Sequence, residues 1–205
     1  MGGRAGGGAG MGKGSRGGGG MSARAQQLAN QYLGDVKSPA LRKELAEGLE
    51  AFEKEFGIPA GVHVLVNDLG ERTYGAAVGS GRIRISSRYK TGEHDISHAK
   101  HTMIHELTHV LDKSDSAWGK NTEFTKDSWG RYKKTLKSEN KGYAKKLTAA
   151  YKTFKLNYGS PATKQIGSYA LKNKHEFFAE SLAHYMTGTK NQYTTFAYNL
   201  AKSMK

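Results

Sequence analysis

The chain has 205 residues, with 27 glycines, 3 prolines and no cysteine, and its 32 Lys and Arg exceed its 18 Asp and Glu, for a formal net charge of +14. Without cysteine, disulfides and thiolate-ligated metal or redox sites are excluded, so a metal ion would need histidine and carboxylate ligands. No apolar stretch approaches the roughly 18 to 20 residues of a membrane helix, and no apolar signal-peptide segment is present, so we expect a soluble protein.

Residues 1–20 differ in composition from the rest of the chain. They hold 12 of the 27 glycines, three basic residues and no acid. Such a segment has little apolar surface to bury, so we expect a disordered Gly/Arg-rich leader followed by one domain over residues 21–205. The basic excess belongs to that domain, which keeps 29 basic side chains against 18 acidic ones.

The first part of the domain is predicted to form two helices and then a small sheet. Ser22 can cap a helix that continues to about Leu33, and Ser38-Pro39 opens a second helix that ends at Gly57. Apolar residues then alternate with other residues in a way that predicts three short strands, at residues 62–66, 74–78 and 82–85.

From Ile96 onward the pattern is predicted to be mainly helical, including a Lys- and Tyr-rich insert of about residues 113–161. A small sheet early in the chain with helices after it defines the α+β class.

The strongest chemical signal lies on a helix. His105, Glu106 and His109 form the pattern H-E-x-x-H among apolar residues. With 3.6 residues per turn, the two histidines lie one turn apart on one face and can bind the same ion. Glu106 lies beside them, where it is better placed to act as a base than as a ligand. The alternative is a pair of ordinary core or surface histidines.

A catalytic zinc ion needs a third protein ligand and one open position. A second helix, predicted over residues 173–186, carries Glu176 and Glu180 one turn apart and His184 one turn further on. Acids in such a row are unusual in so basic a chain, and the apolar residues of this helix can pack it against the H-E-x-x-H helix. The alternative is a solvated acidic face.

The two motif blocks together resemble the catalytic domain of anthrax toxin lethal factor and its relatives, which are zincin-type zinc metallopeptidases. The resemblance rests on His105-Glu106-Leu107-Thr108-His109 and, downstream, on Ser168-Tyr169 followed after six residues by Glu176-Phe177-Phe178-Ala179-Glu180. It covers about residues 60–190 and fades over the insert. It implies a zincin-like domain with a small twisted sheet, an active-site helix, a mainly helical C-terminal half and one zinc ion per chain.

Carried over residue by residue, the resemblance implies His105, His109 and Glu176 as the zinc ligands. It implies Glu106 as the general base and Tyr169, seven residues before Glu176, as a group that assists at the substrate carbonyl. Glu180 would orient a ligand histidine. The implied function is zinc-dependent hydrolysis of a protein or peptide substrate, in the setting of a toxin effector or a phage-associated peptidase.

The remaining polar residues near the motifs have simpler interpretations. His101 and His109 lie about 12 Å apart along the helix axis, so a three-histidine ligand set from one helix is not favoured. We expect His101 to be a partly exposed helix residue and His175 to be structural or solvent-exposed. Asp112 either accepts a hydrogen bond from a ligand imidazole or ends the helix.

Two alternatives to a peptidase stay open. One is a catalytically inactive zincin-fold protein, for binding or as part of a virion, that uses its basic surface. The other is a nucleic-acid-binding domain, which is less favoured because no nucleic-acid motif accompanies the lysines of residues 131–155. The oligomeric state is not defined by the sequence.

The strand at Arg82–Ser86 also has two interpretations. At a sheet edge above the cleft it could pair with the extended backbone of a substrate. Packing of Ile83 and Ile85 into the core is an equally good explanation.

Overall fold

The computed structural model describes residues 20–79, 81–116 and 119–204. The expected disordered leader, residues 1–20, therefore lies outside the described residues except for Gly20. The described helices are α1 (Ala23–Tyr32), α2 (Pro39–Phe56), α3 (Arg88–Thr91), α4 (Ala99–Leu111), α5 (Ser138–Leu156), α6 (Pro161–Lys164), α7 (Lys174–Met186) and α8 (Gln192–Met204). The described strands are β1 (His63–Asn67), β2 (Gly75–Val78), β3 (Arg82–Ser86), β4 (Thr122–Lys126) and β5 (Tyr132–Leu136). This mixture of helices and small sheets confirms the predicted α+β class.

The two N-terminal helices begin at the predicted caps. The Ser22 hydroxyl accepts a hydrogen bond from the Ala25 backbone N–H, and the Ser38 hydroxyl accepts one from the Leu41 N–H. Both bonds satisfy backbone donors that the first turn of a helix leaves without a partner. Helix α2 then buries an apolar stripe formed by Leu41, Leu45, Leu49 and Phe52.

The first sheet has the strand order β1-β3-β2, with β3 parallel to β1 and antiparallel to β2. Ile83 and Ile85 of β3 are fully buried. The edge-strand interpretation of Arg82–Ser86 is therefore wrong, because both sides of this strand already pair with neighbours, and the core-packing interpretation is right. Strand β2, rather than β3, lies at the sheet edge and contacts α4.

The insert departs from its predicted helical structure over residues 122–136, where β4 and β5 form an antiparallel hairpin. Helix begins only at Ser138. The prediction was wrong here because both faces of the hairpin are largely exposed, so its strands lack the alternation of buried and exposed residues that reveals a strand. Phe124, Trp129 and Tyr132 are 73%, 81% and 72% exposed, respectively.

Helix α4 occupies the middle of the structure, in contact with α2, β2 and α7. Gly48 lets α2 pack closely against α4, because a Cβ atom at this position would lie 2.9 Å from the Lys100 carbonyl oxygen and 3.0 Å from Met103 Cβ. Met103 and Leu107 are fully buried. This packing sets the rotation of α4 and therefore the direction in which its histidines point.

Helices α4 and α7 run antiparallel. His109 and His105 contact Glu176, His105 and His101 contact Glu180, and the His101 ring packs against His184. The end of α4 therefore lies beside the start of α7, and the start of α4 lies beside the later turns of α7. Among the described residues, no helix combines the length and the apolar character needed to cross a membrane.

Candidate metal centre

Three side chains from α4 and α7 each direct one atom at a common point. Nε2 of His105 lies 3.1 Å from Nε2 of His109. Oε2 of Glu176 lies 3.1 Å from the first of these nitrogens and 3.2 Å from the second. The structure therefore brings together the three residues that were predicted as ligands, in a cluster that could hold a metal ion.

The spacing and the protonation of this cluster both fit a metal ion. Ligand atoms around a tetrahedral zinc ion, with bonds of 2.0–2.1 Å, are separated by roughly 3.3 Å, close to the three distances observed. Nδ1 of His105 donates to Oε2 of Glu180 at 2.8 Å. In the neutral ring, Nε2 then carries a lone pair directed at the Glu176 oxygen. Converging lone pairs need a positive charge between them, which is a proton on His105 in the metal-free protein and a metal ion in its place when one binds.

The charge distribution of the cluster also favours a cation. Burial acts to lower the pKa of His105, but hydrogen bonds to Glu176 and Glu180 outweigh it and raise the pKa to about 10. Burial acts to raise the pKa of each glutamate, but the histidine contacts hold both pKa values well below their usual range. Both carboxylates are therefore ionised at neutral pH, and they attract positive charge to the centre.

The start of α7 places Glu176. Asn173 caps this helix, and its side-chain Oδ1 accepts hydrogen bonds from the backbone N–H groups of His175 and Glu176. Glu176 thus lies in the first turn, where the positive end of the helix dipole stabilises a carboxylate.

Glu106 lies beside the cluster and is only 4% exposed. The backbone of Ala77 in β2 lies near its carboxylate and acts to lower its pKa. Strand β2 can lie this close because residue 75 is glycine, and a Cβ atom there would be 2.9 Å from Oε1 of Glu106. Burial raises the pKa of Glu106, although His105 and His109 act to lower it. A buried carboxylate whose pKa is shifted toward neutrality is well suited to accept a proton.

Tyr169 lies on a short 3₁₀ turn before α7, and half of its surface is exposed. Its ring centroid is 5.9 Å from that of His105. Burial and the charge of Glu176 raise the pKa of Tyr169, so the hydroxyl keeps its proton at neutral pH.

Lys172 joins this tyrosine to the metal centre and was not predicted from the sequence. Its Nζ donates to the Tyr169 hydroxyl at 3.3 Å and to Oε1 of Glu176 at 3.2 Å. The spacing of four residues between Lys172 and Glu176 gave no clear signal, because Lys172 precedes the Asn173 cap and lies outside α7.

The remaining residues of the motif region have partners as well. Asp112 follows the last residue of α4 and accepts a hydrogen bond from Nδ1 of His175 at 2.6 Å. Asp112 therefore ends the helix, and the imidazole that it contacts belongs to His175, which was not predicted as a metal ligand. His101 is partly exposed, as expected, and its Nε2 lies 3.1 Å from Oε2 of Glu180.

A centre of this geometry, with a buried carboxylate next to it, is typical of metal-dependent hydrolases. Comparison with protein-family models identifies the kind of hydrolase: residues 60–196 match the M90 peptidases, described as glucose-regulated metallopeptidases. Because the match covers well over half of the 205 residues, the chain belongs to this metallopeptidase family. Searches among curated proteins and among solved structures gave no match.

Family membership confirms the sequence prediction at the level of class. The chain belongs to a family of metallopeptidases, and this family implies a metal ion and a protein substrate. The matched segment contains both motif blocks and therefore every residue of the centre described above.

Proposed function

We propose that the chain is a zinc endopeptidase of the H-E-x-x-H plus glutamate type, with a zincin-like centre of the lethal factor kind. The observation that carries the proposal is the convergence of His105, His109 and Glu176 at separations of 3.1 and 3.2 Å. Two imidazoles and one carboxylate are a ligand set that catalytic zinc uses, with the fourth position left open. Other ions with oxygen-rich preferences fit this set less well.

The chain's own residues then divide the work of hydrolysis. When bound, zinc supplies Lewis acidity, which polarises the substrate carbonyl and lowers the pKa of water toward about 7. Glu106 accepts a proton from the attacking water and delivers it to the leaving amine. Glu180 keeps the proton of His105 on Nδ1, so Nε2 remains the ligand atom.

Tyr169 is proposed to donate a hydrogen bond to the oxyanion that develops on the substrate carbonyl. Lys172 holds the hydroxyl near Glu176. Because a single donor to an oxyanion is worth about 10²–10³-fold, Tyr169→Phe is expected to lower kcat by roughly 10²-fold with unchanged zinc content. Peptide-cleavage kinetics check this prediction. The control is Tyr158→Phe, a change in the loop after α5, which should keep the wild-type kcat. Equal kcat in wild type and Tyr169→Phe would remove the tyrosine from the mechanism.

We further propose that β2 receives the substrate backbone. Among the described strands, β2 pairs with β3 alone, which leaves its other edge for an added strand. Its contacts with Glu106, through Gly75 and Ala77, would place a peptide bound along that edge next to the catalytic centre.

A second candidate function is binding without catalysis, favoured by the exposed hairpin. Phe124 lies opposite Lys134 and Tyr132 lies opposite Lys126, so aromatic and basic side chains alternate on one face. Such a surface suits an acidic partner. The peptidase is preferred because Glu106 is placed for proton transfer, which metal holding alone does not need. A setting as a toxin effector or a phage-associated peptidase is supported only by the resemblance to lethal factor.

Metal analysis tests the ligand assignment. After zinc loading and brief exposure to a chelating resin, the full chain is expected to keep one tightly bound zinc ion, and His105→Ala and Glu176→Ala are expected to lose it. His63→Ala, which removes an exposed histidine of β1, is the control and should keep the ion. Full zinc content in both ligand variants would contradict the assignment. If zinc-loaded wild type cleaves nothing in a diverse peptide library, the binding function is favoured instead.

A further inference from the structure

We propose that α4 and α7 form a second divalent-metal site, composed of His101, Glu180 and His184, one helical turn away from the first. One ligand atom of each side chain lies within 4.8 Å of those of the other two. Nε2 of His101 is 3.1 Å from Oε2 of Glu180, and the His101 and His184 ring centroids are 4.7 Å apart.

The second site follows from the antiparallel packing of the two helices. His101 precedes His105 by one turn of α4, and Glu180 follows Glu176 by one turn of α7, so the ligand-bearing faces continue in register past the first centre. At the first centre α4 supplies two histidines and α7 one glutamate. At the second, α4 supplies one histidine while α7 supplies a glutamate and, four residues later, His184. The donor set, two imidazoles and one carboxylate, is therefore the same.

The side chains are held in place before any ion binds. Glu180 is fixed by the hydrogen bond that Oε2 accepts from His105 at 2.8 Å. The His184 ring packs edge-on against the His101 ring, with centroids 4.7 Å apart. A carboxylate offers two oxygens and about four lone-pair sites, so Glu180 can keep its bond to His105 and still ligate a cation.

The second site is expected to bind more weakly than the first. His101 and Glu180 are 23% and 17% exposed at the side chain, whereas His105 and Glu176 are 9% and 12% exposed. Water therefore competes more effectively for an ion at the second site. Transition-metal ions that accept imidazole and carboxylate, zinc above all, are the class of ligand that fits.

Equilibrium dialysis of the full, untagged chain against Zn²⁺ alone tests the proposal. Wild type is expected to bind two equivalents at saturation, one tightly and one more weakly, whereas His101→Ala and His184→Ala should each bind only the tight equivalent. His98→Ala, which removes an exposed histidine just before α4, is the matched control and should bind two. Retention of the tight equivalent, together with a wild-type circular dichroism spectrum, shows that a variant is folded.

Saturation of wild type at one equivalent would overturn the proposal, as would two equivalents in a folded His184→Ala protein. Different variants test the two metal sites. His105→Ala and Glu176→Ala are expected to lose the tight equivalent of the proposed catalytic site, whereas His101→Ala and His184→Ala are expected to lose the weak one. If those variants keep both equivalents, the first assignment fails; if His101→Ala and His184→Ala keep both, the second fails. Titration with Co²⁺ gives a spectroscopic check, with two phases of visible absorption expected in wild type and one in His184→Ala.

Discussion

Glu106→Gln is expected to lower peptide turnover by roughly 10²–10⁴-fold while the chain keeps its tightly bound zinc ion. The amide has nearly the shape of the carboxylate, so it fits the same space beside Gly75 of β2. What it loses is the ability to take a proton from water. Because Glu106 is not one of the three ligands, the metal centre should remain intact.

Three measurements distinguish this loss from damage to the fold: kcat on a cleaved peptide, zinc content and the thermal midpoint. Burial raises the pKa of the Glu106 carboxyl, which means that the charged form is costly there, so a neutral amide is not expected to destabilise the metal-free protein. Glu71→Gln, a change in an exposed loop before β2, is the control and should retain activity. A Glu106→Gln enzyme with wild-type kcat would rule out the general-base role.

The helices and their caps could be predicted because their signals are local. Ser22 and Ser38 mark the starts of α1 and α2, and each signal spans only three or four residues. The H-E-x-x-H helix was equally predictable, since helix geometry alone places His105 and His109 on the same face. The acids of the helix over residues 173–186 were visible in the sequence, but the choice of Glu176 as third ligand came from the resemblance to lethal factor, because no local rule relates residues 67 positions apart.

Features that depend on long-range packing could not be predicted. The central position of β3 follows from strand order, which alternation along Arg82–Ser86 does not encode. The hairpin over residues 122–136 was missed because its exposed strands have no buried face. The contact of Gly75 with Glu106 requires β2 to pack on α4, and the isolated glycine gave no indication of it.

That contact has a consequence for catalysis: Gly75→Ala is expected to lower kcat by about 10²-fold with zinc still bound. The added Cβ atom would lie 2.8 Å from Cγ2 of Thr102 and 2.9 Å from Oε1 of Glu106, closer than real Cβ contacts. Thr102 is buried and its hydroxyl is 2.9 Å from that of Tyr89, so it has little freedom to move. Glu106 must then shift, and a displacement of about 1 Å in a catalytic group can cost about 10²-fold in rate.

Gly79→Ala is the matched control, because a Cβ atom there would meet no atom within 4 Å, and its kcat should equal that of wild type. Overpacking at Gly75 is expected to cost about 1–3 kcal/mol in the free energy of unfolding, so kcat should be measured well below the thermal midpoint. Since the change acts on a proton-transfer group, kcat should fall more than KM rises. A Gly75→Ala enzyme with unchanged kcat would show that β2 does not set the position of Glu106. The edge of β2 would then serve the substrate alone, and the general base would be held by α4 itself.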